Sequence, residues 1–378
     1  MLKVIFVSNF YNQHQQPFSE AMNRLTSAYR FLSTEPVPEH LPGREAIPEP
    51  PFVMHFDTDE AACVNAVASS DVIIIGSVSN RILKRCLRAG KLTFFYSERP
   101  LKEGEEPLKR VPRCLKWHLQ GRNRPNCYLL CAGAYVAGDF EAFHMFRNRR
   151  YKWGYFPPLR TYPNLGELMR KKDPTEIIWC GRFLEWKHPE AAVSGAGRLL
   201  REHILFHIKM IGSGALEDEL RSSIHSHHLD SYVEIAGAMT PEEVRDSMEH
   251  AGIFLFTSDR KEGWGAVLNE AMNSGCAVVA NDAAGSVPFL LQHFVNGFIY
   301  HDGSDEELYA YLKQLLVHPK EQRKMGINAY HTIAEEWNGA YAAGRFLKLC
   351  DGILNNEGSL TFFPDGPCSK AEVIHTII

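Results

Sequence analysis

The feature that most constrains the fold is an alternation, run through twice, of short apolar segments with helix-length ones. Strands are expected at residues 3–8, 52–56, 71–76, 92–96 and 127–131, with helices at 17–32, 59–69, 79–89 and 134–146 between them. The same grammar restarts with strands at 176–180, 206–211, 232–236, 252–257 and 276–280. Runs such as Asp71-Val-Ile-Ile-Ile-Gly76 are apolar without alternating, which marks strands covered on both faces. Strands of that kind joined by helices require a parallel sheet wrapped by helices. Two rounds therefore predict an α/β chain with two doubly wound, Rossmann-like domains facing a central cleft. Residues 154–164, with three prolines and no periodicity, read as the connection. The expected division is a first domain at 1–160, a second at 161–340, and a C-terminal helix with its tail at 341–378 that packs back on the first. Thr240-Pro-Glu-Glu243 is a capping box with proline at the first helical position, and it announces a helix over 244–250. Further helices are expected at 305–317, 320–333 and 339–351, and the pattern says nothing about 355–378.

Composition excludes several classes. With 45% hydrophobic and 23% charged residues the chain is an ordinary globular one, and no apolar run approaches the length of a membrane span. The first residues lack a leader's long apolar region, so a cytoplasmic location is expected. None of the nine cysteines forms a C-x-x-C pair, which favours reduced, buried thiols over disulfides or zinc. The net charge of -4 conceals an asymmetry: residues 1–172 hold 25 Lys and Arg against 16 Asp and Glu, and the rest hold 16 against 29. Basic clusters at 81–91, 109–116 and 147–152 suit an anionic partner. Peripheral contact with an anionic membrane on the inner face of the cell, or a phosphorylated acceptor, fits that pattern. No recognition-helix, zinc-finger or RNP-like pattern supports nucleic acid.

The chemistry concentrates in the second half. After the strand at 252–257 comes Glu262-Gly-Trp-Gly-Ala-Val-Leu-Asn-Glu270, two carboxylates eight positions apart around a small-residue turn. Gly263 and Gly265 permit the turn, and a helix is expected over 266–273, closed by Gly275. This puts Glu262 on a loop at a strand's carboxyl end and Glu270 in the first turns of a helix whose N-terminus favours phosphate. An N-capping acid and an exposed helical glutamate would give the same two letters. Gly181-Arg182-Phe-Leu-Glu-Trp-Lys187 follows the strand at 176–180, where Arg182 offers a planar fork and Lys187 a point charge for phosphate oxygens. Ile211-Gly212-Ser-Gly214 is a glycine turn, but Glu217 stands where a dinucleotide fingerprint needs its last glycine, and no glycine follows the first strand. That argues against a dehydrogenase. Asp57-Thr-Asp59 has the form of a metal-binding D-x-D, yet it directly precedes a helical run, so a helix cap is the expected role.

Taken in order, Gly181-Arg182 with Lys187, Gly212-Ser-Gly214, Val233-Glu-Ile-Ala-Gly237, Glu262 to Glu270 and Asn296-Gly297 resemble the nucleotide-binding half of retaining GT-B glycosyltransferases. The likeness is to the large family four, and residues 9–18 and 151–157 are similar to its bacterial surface-polysaccharide branch. The resemblance implies that Glu262, with the backbone of Gly263, Trp264, Gly265, Ala266 and Val267, holds a donor hexose. Glu270 would accept from the ribose hydroxyls. Arg182 and Lys187 would clasp the diphosphate beside Gly181 and Gly212, and Gly237, Ala238 and Met239 would border the base. It also implies retention of configuration, with a UDP- or GDP-sugar as donor, no tightly bound cofactor and no metal. Gly285-Ser-Val-Pro288-Phe289 departs from the family's usual Pro-Glu, which bears on the structure of that loop. The acceptor, a saccharide or lipid-linked hydroxyl, would meet the first domain, where His14, Gln15, Glu98 and Arg99 lie at strand carboxyl ends. Two other functions use the same fold: a nucleotide-sugar epimerase, which needs no acceptor, and a silent binding module.

Overall fold

The computed structural model describes residues 2–26, 28–36, 48–104, 107–355 and 363–374. The chain divides into two compact units, one made of Met1–Pro158 with Glu336–Ile378 and the other of Leu159–Glu335.

The first unit runs β1 (Lys3–Ser8), α1 (Gln16–Leu25), β2 (Ala28–Ser33), β3 (Val53–His55), α2 (Glu60–Ser69), β4 (Val72–Ile75), α3 (Asn80–Arg88), β5 (Leu92–Ser97), α4 (Pro107–Leu119), β6 (Cys127–Ala132), α5 (Val136–Ala142) and β7 (Arg150–Trp153). Its seven strands are parallel, in the order β3-β2-β1-β4-β5-β6-β7. Ile73 and Ile75 of β4, with Leu129 of β6, carry one face of the sheet into a core with Leu83, Leu87 and Phe140 of the covering helices. The helices start where the sequence supplies a cap. Ser79 accepts from Ile82 N, and Asp59 accepts from Ala62 N at 2.8 Å, so the D-x-D carboxylate is spent on opening α2.

Three expectations in this unit are corrected. The helix expected over 17–32 ends at Leu25, and Ala28–Ser33 is a strand between β1 and β3. Thr26 turns the backbone extended while its hydroxyl donates to Met22 O, and Tyr29 and Phe31 then bury fully on the sheet, a fit for aromatic side chains that overrides the helical period. The helix expected to reach 146 stops at Ala142, because His144, Phe146 and Asn148 adopt left-handed backbone at φ 54°, 55° and 60°. Residues 150–153, for which no strand was expected, form β7, the last strand of the sheet. The segment after residue 363 explains how that strand is finished. Lys152 N donates to Ser369 O, Cys368 N to Lys152 O and Ala371 N to Arg150 O, an antiparallel cover on its outer side.

The second unit runs α6 (Leu165–Lys171), β8 (Asp173–Cys180), α7 (Glu190–Arg201), β9 (His207–Ile211), α8 (Glu217–Ser226), β10 (Val233–Gly237), α9 (Pro241–His250), β11 (Ala251–Phe256), α10 (Ala266–Asn273), β12 (Ala277–Asn281), α11 (Val287–Leu290), β13 (Gly297–Tyr300), α12 (Asp305–Val317) and α13 (Pro319–His331). Its six strands are also parallel, in the order β10-β9-β8-β11-β12-β13. The capping box is present at α9, with Thr240 and Glu243 bonded reciprocally. The edge strand β13 was not read from the sequence, since Gly297-Phe-Ile-Tyr300 lacks the β-branched run that marks the equally short β4. The chain then re-enters the first unit as α14 (Gly339–Leu354). There Phe346 meets Phe18 of α1 and Phe94 of β5, with ring centroids 6.0 and 4.9 Å apart.

In both sheets the strand order reverses beside the first strand, β1 in one unit and β8 in the other. Loops at the carboxyl ends of β1 and β4, and of β8 and β11, therefore diverge and leave a crevice at each reversal.

Candidate functional site

The crevice in the second unit is built from backbone held unusually close. A methyl group placed on Gly212 would lie 1.8 Å from Gly181 O, and one on Gly285 would lie 1.9 Å from Gly263 O. Gly212 also sits at φ 143°, so only glycine lets the loops after β8 and β9 touch. Gly181 N donates to Ile211 O and Gly212 N to Gly237 O, which ties the ends of β8, β9 and β10 together.

On this frame the loop after β8 brings Lys187 to Glu262 on the loop after β11. Lys187 Nζ and a Glu262 carboxylate oxygen form an ion pair, with side chains only 14% and 16% exposed. The loops are fixed by Trp179 Nε1 donating to Thr257 Oγ1 at 2.8 Å, by the Thr257 hydroxyl donating to Lys187 O, and by Asp259 N donating to Trp186 O. Gly265 then takes φ 87°, where a Cβ would strike the Phe256 ring, and α10 begins. No side chain caps α10, and its first residues, Ala266 and Val267, are half-buried, a helix start of the kind that suits an anion.

One turn further on, Glu270 is half-buried and its carboxylate makes no hydrogen bond or ion pair among the described residues. Burial pushes its pKa up, and the nearby Arg245 and Arg160 pull it partly back. An acid held desolvated without a donor is an acceptor awaiting a partner.

The remaining donor-side residues divide. Arg182 is exposed, its guanidinium 6.0 Å from the Trp186 ring centroid, and it forms no ion pair among the described residues. Gly237 is half-buried at φ 77°, Ala238 is exposed and Met239 half-buried. Trp264 is fully buried and its Nε1 donates to Asn269 Oδ1 at 2.8 Å, which anchors the turn from within. The loop at 285–289 is well formed despite its departure from Pro-Glu, with Gly285 N donating to Glu262 O and α11 starting directly after Ser286.

Sequence reasoning missed His188. It occupies left-handed backbone at φ 47°, with Nδ1 2.8 Å from Glu190 and Nε2 3.5 Å from Asp259. Hydrogen bonding to Asp259 and then to Glu190 pushes its pKa up to about 10, so it is a fixed cation beside Lys187. Glu190 is two residues away and was available as a signal, whereas Asp259 lies far along the chain.

In the first unit, His14, Gln15, Glu98 and Arg99 all line one cavity of about 500 Å³ at the reversal point, with Ser8 at the end of β1, Asn9 after it, and Gly76 and Ser77 after β4. Their commitments differ. The His14 ring stacks on Tyr155 at 5.4 Å, and Glu98 accepts from the Tyr155 hydroxyl and from Lys102 at 3.3 Å. Arg99 is 6% exposed and engages Asp139 at 3.1 Å, which also receives Leu101 N, so its charge serves the fold. Of the basic surface, Arg81 and Arg85 both pair with Glu60, whereas Lys84 and Arg88 are exposed without an ion pair among the described residues. The side chains of Lys109 and Arg110 lie outside the described residues. No described helix is long and apolar enough to cross a membrane.

Residues 165–332 match the family described as Glycosyl transferases group 1, so the second unit is a glycosyltransferase group 1 domain, a transferase module. A stretch of 147 residues is 31% identical to the amylovoran biosynthesis glycosyltransferase AmsK of Erwinia amylovora, over 38% of this chain and 36% of that protein. Another of 146 residues is 27% identical to the putative colanic acid biosynthesis glycosyltransferase WcaL of Salmonella typhimurium, over 37% of this chain and 36% of that protein. The matches thus span about a third of either relative's length. The fold resembles that of HepE from Anabaena, crystallised with UDP, at a TM-score of 0.68 and 14% identity over 93% of this chain and all of that one. It equally resembles a glycosyltransferase from Rickettsia africae, at 0.68 and 13% over 94% of this chain and 99% of that one. The architecture is GT-B, two Rossmann-like domains each with its own parallel sheet.

Proposed function

We propose that this chain, built on a GT-B fold around a group 1 domain, is a retaining hexosyltransferase of polysaccharide or glycoconjugate synthesis. It moves a sugar from a nucleoside diphosphate to a hydroxyl of a saccharide or lipid-linked acceptor. The observation that carries this is the ion pair of Lys187 with Glu262 at the β8/β11 reversal, followed within α10 by the unpartnered Glu270. In this reading the pair supplies a cation for the diphosphate and a carboxylate for the sugar hydroxyls, and Glu270 accepts from the ribose hydroxyls. UDP as the nucleotude carrier is supported by neighbours of the same fold crystallised with UDP and with UDP-glucose.

In the reaction, the bond between the sugar's anomeric carbon and the phosphate oxygen breaks, and its electron pair leaves with the diphosphate. The acceptor oxygen bonds to the anomeric carbon from the same face and its proton passes to the departing phosphate. Charge grows on that phosphate, so groups aimed there lower the barrier. Lys187, Arg182 and the amides of Ala266 and Val267 are that set, with His188 behind them, and the transfer proceeds without a metal. Exposed Lys84 and Arg88 on α3 give the first unit a basic face for peripheral contact with an anionic inner membrane leaflet.

The test incubates the protein with UDP- and GDP-sugars, with and without candidate acceptors, and follows thermal unfolding and nucleotide release. The matching donor at 100 times its dissociation constant is expected to stabilise the protein by about 2.7 kcal/mol. Chelator should leave turnover unchanged. Failure of every sugar nucleotide to shift unfolding or to release a diphosphate would overturn the reading.

A further inference from the structure

Arg122, just beyond α4, lines the cavity of the first unit with its guanidinium between two aromatic rings. The centroids of Phe95 and Trp117 are 5.3 and 5.2 Å away. Its Nε donates to Gln120 Oε1 at 2.8 Å, and its terminal nitrogens have no hydrogen bond or ion pair among the described residues. Burial alone pulls its pKa down to about 10, with no carboxylate opposing the shift. Arg99, in the same cavity, shows the contrast, since its fork is held by Asp139. A half-buried guanidinium held between two rings, with its terminal donors unused, is suited to an anion. A second group has the complementary need: Gln15 is 9% exposed and its Oε1 is buried without a hydrogen-bond donor. The volume of about 500 Å³ is that of a small-ligand site.

We propose that this cavity is the acceptor site, and that Arg122 recognises an oxyanion, a carboxylate or a phosphate, carried by the acceptor, with Gln15 receiving one of its hydroxyl protons in a hydrogen bond. The assignment of the ligand as acceptor rests on the transferase reading, whereas the anion site stands on the cavity itself. Planar donors of a guanidinium match either oxyanion in two-point contact, and the flanking rings exclude water from the pair.

Calorimetric titration of the full chain under saturating UDP, which keeps added anions off the second unit, separates the two sources. Glucuronate stands for an acidic saccharide, inorganic diphosphate for a lipid-diphosphate carrier, and glucose is the neutral control. One anion is expected to bind where glucose does not, and Arg122→Met should weaken it tenfold or more with UDP affinity unchanged. Arg122→Met keeps the aliphatic stem between the rings and removes a desolvated charge, so its Tm should equal or exceed that of the parent. A purely structural guanidinium would instead lower Tm and leave anion affinity alone. Arg122→Lys, which keeps the charge without the fork, should fall between. Neither anion binding, or equal binding by all three proteins, would overturn the proposal. Anion binding without any UDP binding would sink the transferase reading and leave the anion site supported.

Discussion

The two units share a strand order and a reversal point, yet they build opposite kinds of site on it. At the β8/β11 reversal the lining is backbone, with Gly181 against Gly212 and Gly263 against Gly285 closer than any side chain allows. At the β1/β4 reversal the lining is side chain, with Tyr96, Tyr155, Trp117 and Arg122 around a cavity. Peptide amides recognise a phosphate whatever it carries. Side chains can be exchanged to suit a particular partner without disturbing the sheet. On the proposed reading the difference separates a nucleotide site made of backbone from an acceptor site made of side chains.

The largest expected effects come from testing that contrast with a single methyl group. Gly212→Ala and Gly285→Ala should each destabilise the protein by about 3 kcal/mol or more, because backbone carbonyls cannot move aside. Gly76→Ala in the first unit meets the Ser8 hydroxyl at 2.5 Å, the end of a side chain held by one hydrogen bond to Asn9 rather than backbone, and should cost less, about 1 kcal/mol. Denaturant midpoints decide the matter, and equal losses in both units would break the comparison.

Next in size is catalysis. Glu262→Ala should lower transfer at least about 100-fold, some 2.7 kcal/mol of transition-state stabilisation, with the fold intact. His14→Ala and Glu98→Ala should change kcat/KM by less than about tenfold, since their site orients rather than reacts. Near-normal turnover by the Glu262 variant would remove it from the mechanism.

Glu270→Gln should weaken UDP binding by about tenfold, roughly 1.4 kcal/mol. It also carries a pH signature. Burial holds the folded-state pKa of Glu270 above the unfolded value, so the ionised carboxylate opposes folding once pH rises through that window. The variant should therefore unfold at a higher temperature than the parent at pH 7, with the gain closing as pH falls toward about 4. The smallest effect belongs to His188, whose folded pKa is raised to about 10. Its contribution is fully present below about pH 6.5 and lost as pH climbs through about 10, so His188→Gln should lower Tm near neutrality and match the parent above that range.

What was legible in the sequence follows the same division. Strands buried on both faces, such as β4, β6, β11 and β12, announce themselves as apolar runs, and α10 has the bounds that the glycines around it dictate. Strand β2 was hidden because Ala28–Ser33 continues a helical period, and only the sheet on either side of it decides its state. The short strands β7 and β13, Arg150-Tyr-Lys-Trp153 and Gly297-Phe-Ile-Tyr300, lack the unbroken β-branched run that made β4 legible at the same length. In the site, Glu262 and Glu270 were visible as a spacing. The pairing of Lys187 with Glu262 spans 75 positions, so it is not encoded locally. Arg122 was missed for a similar reason: one arginine in a basic stretch becomes distinctive only when the acids turn out to be elsewhere.

The return of the chain to the first unit sets an order of events during synthesis. The apolar side of α1, with Phe18 and Met22, is completed by α14, and β7 is covered by residues 368–371. Both arrive only after all of Leu159–Glu335 has been made. At about 5–20 residues per second the first unit waits roughly 10–40 s, open on one flank, while the second can already be closed. A nascent chain stalled before residue 339 should therefore present a finished second unit and a first unit that chaperones still recognise.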